Sequence, residues 1–261
     1  MLQRTKKQIA YGTGFAVVLV GILGVLINGV SRSESVENTP MQVSNLIPVK
    51  LETLDSIRHQ ERPGVENTID IVARLRNPNA GAGISKYTVM FIVKDASGQE
   101  IKRVPVETYI LPGAIQYVMA LNVPVGVSQV ATIDADLPTN PTFIPLGTNT
   151  NPPTFSAFAR ERKSSTVGKV TSDEQTGIVK NTSTFAWEKV EVYVVALNNQ
   201  SKVIAAGKTF LGALTVGEER EFTVAWPKPQ ETIERVIILP STNMFQEENA
   251  IRAIGNPGLL Q

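Results

Sequence analysis

Asp134 and Asp136 stand two residues apart, just before Leu137-Pro138. If that stretch is a strand, both carboxylates point to one face, the spacing from which a hard cation such as Ca²⁺ or a sugar could be held. They are the weak candidates for a metal site. The competing reading is a pair of solvated acids at a strand end, because no Asp-rich loop with EF-hand spacing is present. The pairs Glu218-Glu219 and Glu247-Glu248 read as solvated faces.

Other chemistries are poorly supplied. A Ser/His/Asp hydrolase needs an imidazole to shuttle its proton, and the chain has one histidine, His59, in a polar stretch running into Arg62-Pro63-Gly64. A turn position in solvent is the ordinary reading of such a residue, against a lone base or pH switch. With one histidine and no cysteine, tetrahedral zinc would have to rest on carboxylates, which is rare. Gly207-Lys208-Thr209 ends like a phosphate loop, but Lys202 occupies the first glycine position, and Gly81-Ala82-Gly83 reads as a loop between strands. Trp187, Trp226, Tyr109 and Tyr117 could form an aromatic platform for glycans or peptides; at strand spacing such residues more often face a core. Asn181-Thr182-Ser183 and Asn199-Gln200-Ser201 fit the glycosylation sequon. We assign no catalytic or cofactor-binding residue and expect no cofactor and no enzymatic activity.

The net charge of +1 comes from 25 basic and 24 acidic residues that are scattered along the chain. The long-range field that a nucleic-acid partner requires is missing. With 42% hydrophobic residues in 261, one or two ordinary cores are within reach, and without cysteines their stability must come from burial alone.

The elements that would carry any site begin with an apolar run. Residues 9–30 hold no charged side chain and follow Arg4, Lys6 and Lys7; as a helix the run would be about 33 Å long, enough to cross a bilayer core. The basic flank keeps residues 1–8 cytoplasmic and places the rest outside, which predicts a single-pass cell-membrane protein with extracytoplasmic domains. The alternative is a cleaved secretory signal. Its apolar segment is usually about 7–15 residues with a small-residue cleavage site, whereas here the run is longer and Ile27 would occupy a position that wants a small residue. Ala10, Gly14 and Gly21, with Asn28, share a helical stripe of the kind that lets two membrane helices approach closely, a route to a homo-oligomer.

Behind a polar stalk, residues 31–42, the chain repeats itself. Residues 77–143 and 181–245 share landmarks at an offset of about 102–104 residues. Tyr87 to Lys94 matches Val190 to Leu197, and the turn at Asp95-Ala96-Ser97-Gly98 matches Asn198-Asn199-Gln200-Ser201. Leu111-Pro112-Gly113 meets Thr215-Val216-Gly217, and Leu137-Pro138 with Phe143 meets Leu239-Pro240 with Phe245.

Both copies alternate in period two. Ile69, Ile71, Ala73 and Leu75 lie on one face of the first, and Val190, Val192, Val194 and Ala196 on one face of the second. Turn residues punctuate these runs every dozen residues or so. The predicted fold is therefore mainly β: the N-terminal transmembrane helix, then two tandem antiparallel immunoglobulin-like β-sandwiches at 43–144 and 154–245. A Pro-rich linker at 145–153 joins them, and a C-terminal tail at 246–261 follows.

The second copy, through Gly177-Ile178-Val179-Lys180-Asn181, the run from Val190 and Leu214-Thr215-Val216-Gly217-Glu218, resembles the FxLYD domain of prokaryotic surface proteins. The first is similar to the same group and to the late-embryogenesis-abundant/WHy sandwiches, through Val72 to Asn79 and through Phe91-Ile92-Val93-Lys94-Asp95 at the name motif, where Lys94 departs from the pattern. The resemblance implies a non-catalytic extracytoplasmic module and transfers no functional residue. The expected function is that of a membrane-anchored structural or protein-interaction module of the cell envelope, with envelope proteins as partners. Two alternatives stand beside it: an accessory subunit of a secretion or surface-appendage complex, and a cation- or glycan-binding ectodomain.

Overall fold

A computed structural model of the protein describes residues 47–53, 68–126, 129–147, 150–168 and 170–251. The expected span at 9–30 with Ala10, Gly14 and Gly21, the stalk at 31–42 and His59 all lie outside them. Among the described residues no helix is long and apolar enough to cross a membrane. The architecture is mainly β, arranged in several sheets.

In the first half of the chain the strands are β1 (Ile47–Thr53), β2 (Thr68–Arg76), β3 (Ala82–Lys94), β4 (Glu100–Ile110), β5 (Ile115–Pro124), β6 (Thr132–Asp136) and β7 (Ile144–Pro145). They form one sheet in the order β1-β2-β5 and another in the order β4-β3-β6, with β7 paired to the start of β3. The second half holds β8 (Phe155–Val167), β9 (Val170–Asn181), β10 (Ala186–Trp187), β11 (Val190–Leu197), β12 (Val203–Leu211), β13 (Glu219–Pro227), β14 (Arg235–Ser241) and β15 (Ala250–Ile251). Its sheets run β8-β9-β13 and β12-β11-β14, beside a β10-β15 pair. The strand order of the first half thus recurs in the second, where β8, β9 and β13 take the places of β1, β2 and β5.

The likeness extends to atoms. Asn77 is buried after β2 and its amide donates to the carbonyls of Ala82 and Leu111 at 2.8 and 2.9 Å. Asn181, buried after β9, donates to Phe185 and Leu214 at 2.8 and 3.0 Å. Each side-chain oxygen accepts the backbone N–H two residues on, from Asn79 and Ser183 at 3.0 Å. At the opposite end of the strands, Asp95 Oδ1 accepts from the N–H groups of Ser97 and Gln99, and Asn198 Oδ1 accepts from those of Gln200 and Lys202. Those two turns need a left-handed residue, supplied by Gly98 at φ +82° and by Ser201 at φ +60°.

Period two explains the cores. Ile69, Ile71, Ala73 and Leu75 of β2 pack with Val89, Phe91 and Val93 of β3 between the two sheets of the first half. Val190, Val192, Val194 and Ala196 of β11 pack with Phe222, Val224 and Trp226 of β13 in the second. The other faces are not all solvated. Val72, Tyr117 and Met119, on the outer face of β2 and β5, pack against Tyr193, Val195 and Leu197 of β11 and Val203 and Ala206 of β12. Four sheets therefore stack face to face around three apolar layers, and the layer that joins the halves is as closed as the others, with Val72 and Val195 fully buried.

Three boundaries differ from those expected. Pro145, placed in the linker, pairs with Ala82 as the last residue of β7, a strand end where a missing N–H costs little. Ala82 and Gly83 open β3 rather than sitting in a loop. The second half does not close near Phe245, because Ala250 and Ile251 pair back onto Trp187 and Ala186 after a 3-10 turn at Glu247–Asn249.

Candidate functional site

The two asparagine corners lie at the same end of the stack. Leu111 and Ala114 beside Asn77 face Thr154 and Phe155, which adjoin Asn181, across a shallow groove. Asn243 Nδ2 bridges the halves to the carbonyl of Ser85 at 2.9 Å, and the Phe245 ring covers Gly83 so closely that an added Cβ would stand 2.5 Å from it. Above this bridge the halves part into a cleft of about 500 Å³, lined by β3 and β4 on one side and by β11, β12 and the 246–249 turn on the other.

The cleft is polar with a phenolic floor. Lys86 and Glu107 pair across its first wall at 3.0 Å, and Lys189 approaches Glu191 at 3.6 Å on the second. Tyr193 donates to Glu191 Oε2 at 2.7 Å. Beside it the Tyr109 hydroxyl is buried and makes no hydrogen bond of normal geometry; Gln116, outside the lining, reaches Thr108 Oγ1 with its amide at 3.5 Å while its side-chain oxygen is buried and unpaired. Burial, together with the Glu191 carboxylate, pushes both phenols well above the ordinary tyrosine range, so they stay protonated donors at every ordinary pH. The floor can hold a polar group by hydrogen bonds. None of the lining side chains is an imidazole or a thiol.

Asp134 and Asp136 project to one face of β6, as their spacing predicts, and both are exposed. They oppose Ile92 and Met90 of β3 on the outer face of the first half, away from the cleft. Asp134 is paired with Lys94 at 2.7 Å. Asp136 faces Tyr87, whose phenol is raised to about 12 by burial and then by that carboxylate, and Arg103, held charged by Glu100 and then by Asp136. Among the described residues no three of His, Cys, Asp and Glu gather as a metal site would require.

Of the four aromatics weighed as a ligand platform, Trp187, Trp226, Tyr109 and Tyr117 are all buried, and Tyr109 alone lines the cleft. Asn181 in the first sequon is 0% exposed, its amide committed to two carbonyls, so a glycan would have to displace the corner. The exposed apolar residues at the corner end went unnoticed in the sequence: Phe185, Phe210 and Val216 at 51, 65 and 56% exposure. Phe185 meets Trp187 edge-on at 6.2 Å, and Lys189 Nζ lies 5.7 Å from the Phe210 ring centre.

No family model matches the chain, and no curated protein matches it. Among solved structures it is similar to a transglutaminase of red sea bream, with 13% identity and a TM-score of 0.23 over 76% of this chain. The chain spans about 29% of the length of that enzyme. A superposition at that score carries no argument about fold or chemistry.

Proposed function

We propose that the protein is a non-catalytic, membrane-anchored module that presents two immunoglobulin-like sandwiches of the FxLYD/WHy kind outside the cytoplasm and binds envelope proteins there. The observation that carries this reading is the shared apolar layer from Val72 to Ala206. It makes one stiff body of two repeats, as a scaffold requires, and leaves sheet edges and inter-strand loops as contact surface. The apolar run at 9–30 supplies the anchor.

The test is detergent extraction of the full-length protein with cross-linking and mass identification, against a variant lacking residues 1–30. A defined set of partners that depends on the anchor supports the module and identifies an accessory subunit of a larger complex if the set is one assembly. Full-length protein that emerges alone counts against both. The cation-binding alternative rests on Asp134 and Asp136; Ca²⁺ would then raise the thermal stability of residues 41–251, and no shift would sink it.

A further inference from the structure

We propose that the asparagine-corner end of the stack rests on the lipid surface, with Phe185, Phe210 and Val216 at headgroup depth. This deepens the membrane-anchored reading and rests on it. Three observations lead here. The first is where the chain runs: β1 begins at Ile47 opposite Arg76, at the Asn77 corner, and β15 ends at Ile251 opposite Ala186, at the Asn181 corner. The 16 residues between Val30 and Ile47 reach at most about 55 Å when fully extended, so a tether from the run at 9–30 enters the body at this end.

The second is the distribution of exposed large apolar side chains. Phe185, Phe210, Val216 and Ile115 lie at the corner end, on four separate loops and strand ends, and half-exposed Phe158 stands on β8 three residues in from that end. The opposite end has Ile101 and Val167, one per half, among the polar turns at Asp95 and Asn198. Aromatic residues on an otherwise polar rim are what an interfacial contact uses.

The third is the charge beside them. Lys189 sits over the face of Phe210, an arrangement in which the ring enters the interface while the ammonium stays at phosphate level. Lys208, Glu188 and Glu248 on the same rim mix signs, so anionic lipid is not what draws this end down. Phosphatidylcholine alone should suffice.

The absence of cysteine makes the test direct. Val216→Cys and, at the far end, Ser97→Cys are labelled with an environment-sensitive fluorophore in the full chain, reconstituted in phosphatidylcholine vesicles with or without spin-labelled lipid. The probe at 216 should lose most of its emission to the spin label and the probe at 97 almost none. Phe185→Ser with Phe210→Ser, both at exposed positions, should restore emission at 216 without lowering the melting temperature. If alkaline carbonate leaves the protein in the vesicles and the probes at 216 and 97 respond alike, the lipid contact is overturned and the anchor stands. If carbonate releases the protein, the anchor fails and the contact with it.

Discussion

Asn77 and Asn181 each hold three strands' ends together with one amide group. Their donors and acceptors are all committed inside the protein, so truncation would leave buried carbonyls and an N–H without partners. Asn77→Ala and Asn181→Ala should each lower stability by about 2–4 kcal/mol in urea unfolding, whereas exposed Asn199→Ala should stay within about 0.5 kcal/mol. Glu218 is a milder case. Its carboxylate accepts from the N–H and hydroxyl of Thr215 at 2.8 Å and from Arg220, which holds it down at about 2 from an ordinary 4.5. Its folded value is depressed, so its contribution is present above pH 4.5 and disappears as the pH falls toward 2. Its partial exposure keeps that contribution small. Glu218→Gln should lower the melting temperature slightly at pH 7 and flatten its dependence on pH between 4.5 and 2. The corner was half legible: the repeat aligned Asn77 with Asn181, but a polar residue between strands carries no mark of how its amide is spent.

Strand identity was the part of the fold most open to reading. The run from Val190 to Leu197 emerges as β11 with those bounds, and Tyr87 to Lys94 lies within β3, because period two is a local property that burial on one face imposes. The exceptions have local causes too. Asp70 alternates with apolar neighbours as though it faced water, yet it is buried and accepts the Asn122 N–H at 2.6 Å across a bulge between β2 and β5, where Asn122 adopts φ +56°. Gly83 is the other. The Ile110 carbonyl and the Phe245 ring both stand 2.5 Å from the place a Cβ would occupy, and the carbonyl belongs to a paired strand that cannot retreat. Gly83→Ala should therefore cost about 1–3 kcal/mol and loosen the 246–249 turn, visible as faster amide exchange at Asn249.

At the scale of the whole molecule, the repeat predicted two bodies and a linker, and the structure joins them through a third apolar layer. The sign was present in β11, where Tyr193, Val195 and Leu197 leave Glu191 as the sole charge in the strand. A strand covered on both faces looks this way, but the cover comes from Val72, Tyr117 and Met119, more than seventy residues upstream, and no local pattern pairs such distant surfaces. The same separation hid the cleft, whose floor takes Tyr109 from one half and Tyr193 from the other. A shared layer predicts shared unfolding. The described halves should melt in one transition, and Val195→Asp, which puts a charge into the closed layer, should lower the midpoint by several degrees and split the calorimetric peak in two. A single peak in that variant would show that the halves are coupled elsewhere.

The shared layer also imposes a timetable on biosynthesis. The face formed by β2 and β5 is complete at Pro124, but the last strand that covers it ends at Ser241, 117 residues later. At about 5–20 residues per second the nascent first half holds Val72, Tyr117 and Met119 bare for on the order of ten seconds. In that interval a neighbouring copy offers the same greasy surface, and a chaperone that shields it would be a partner of the newborn chain alone.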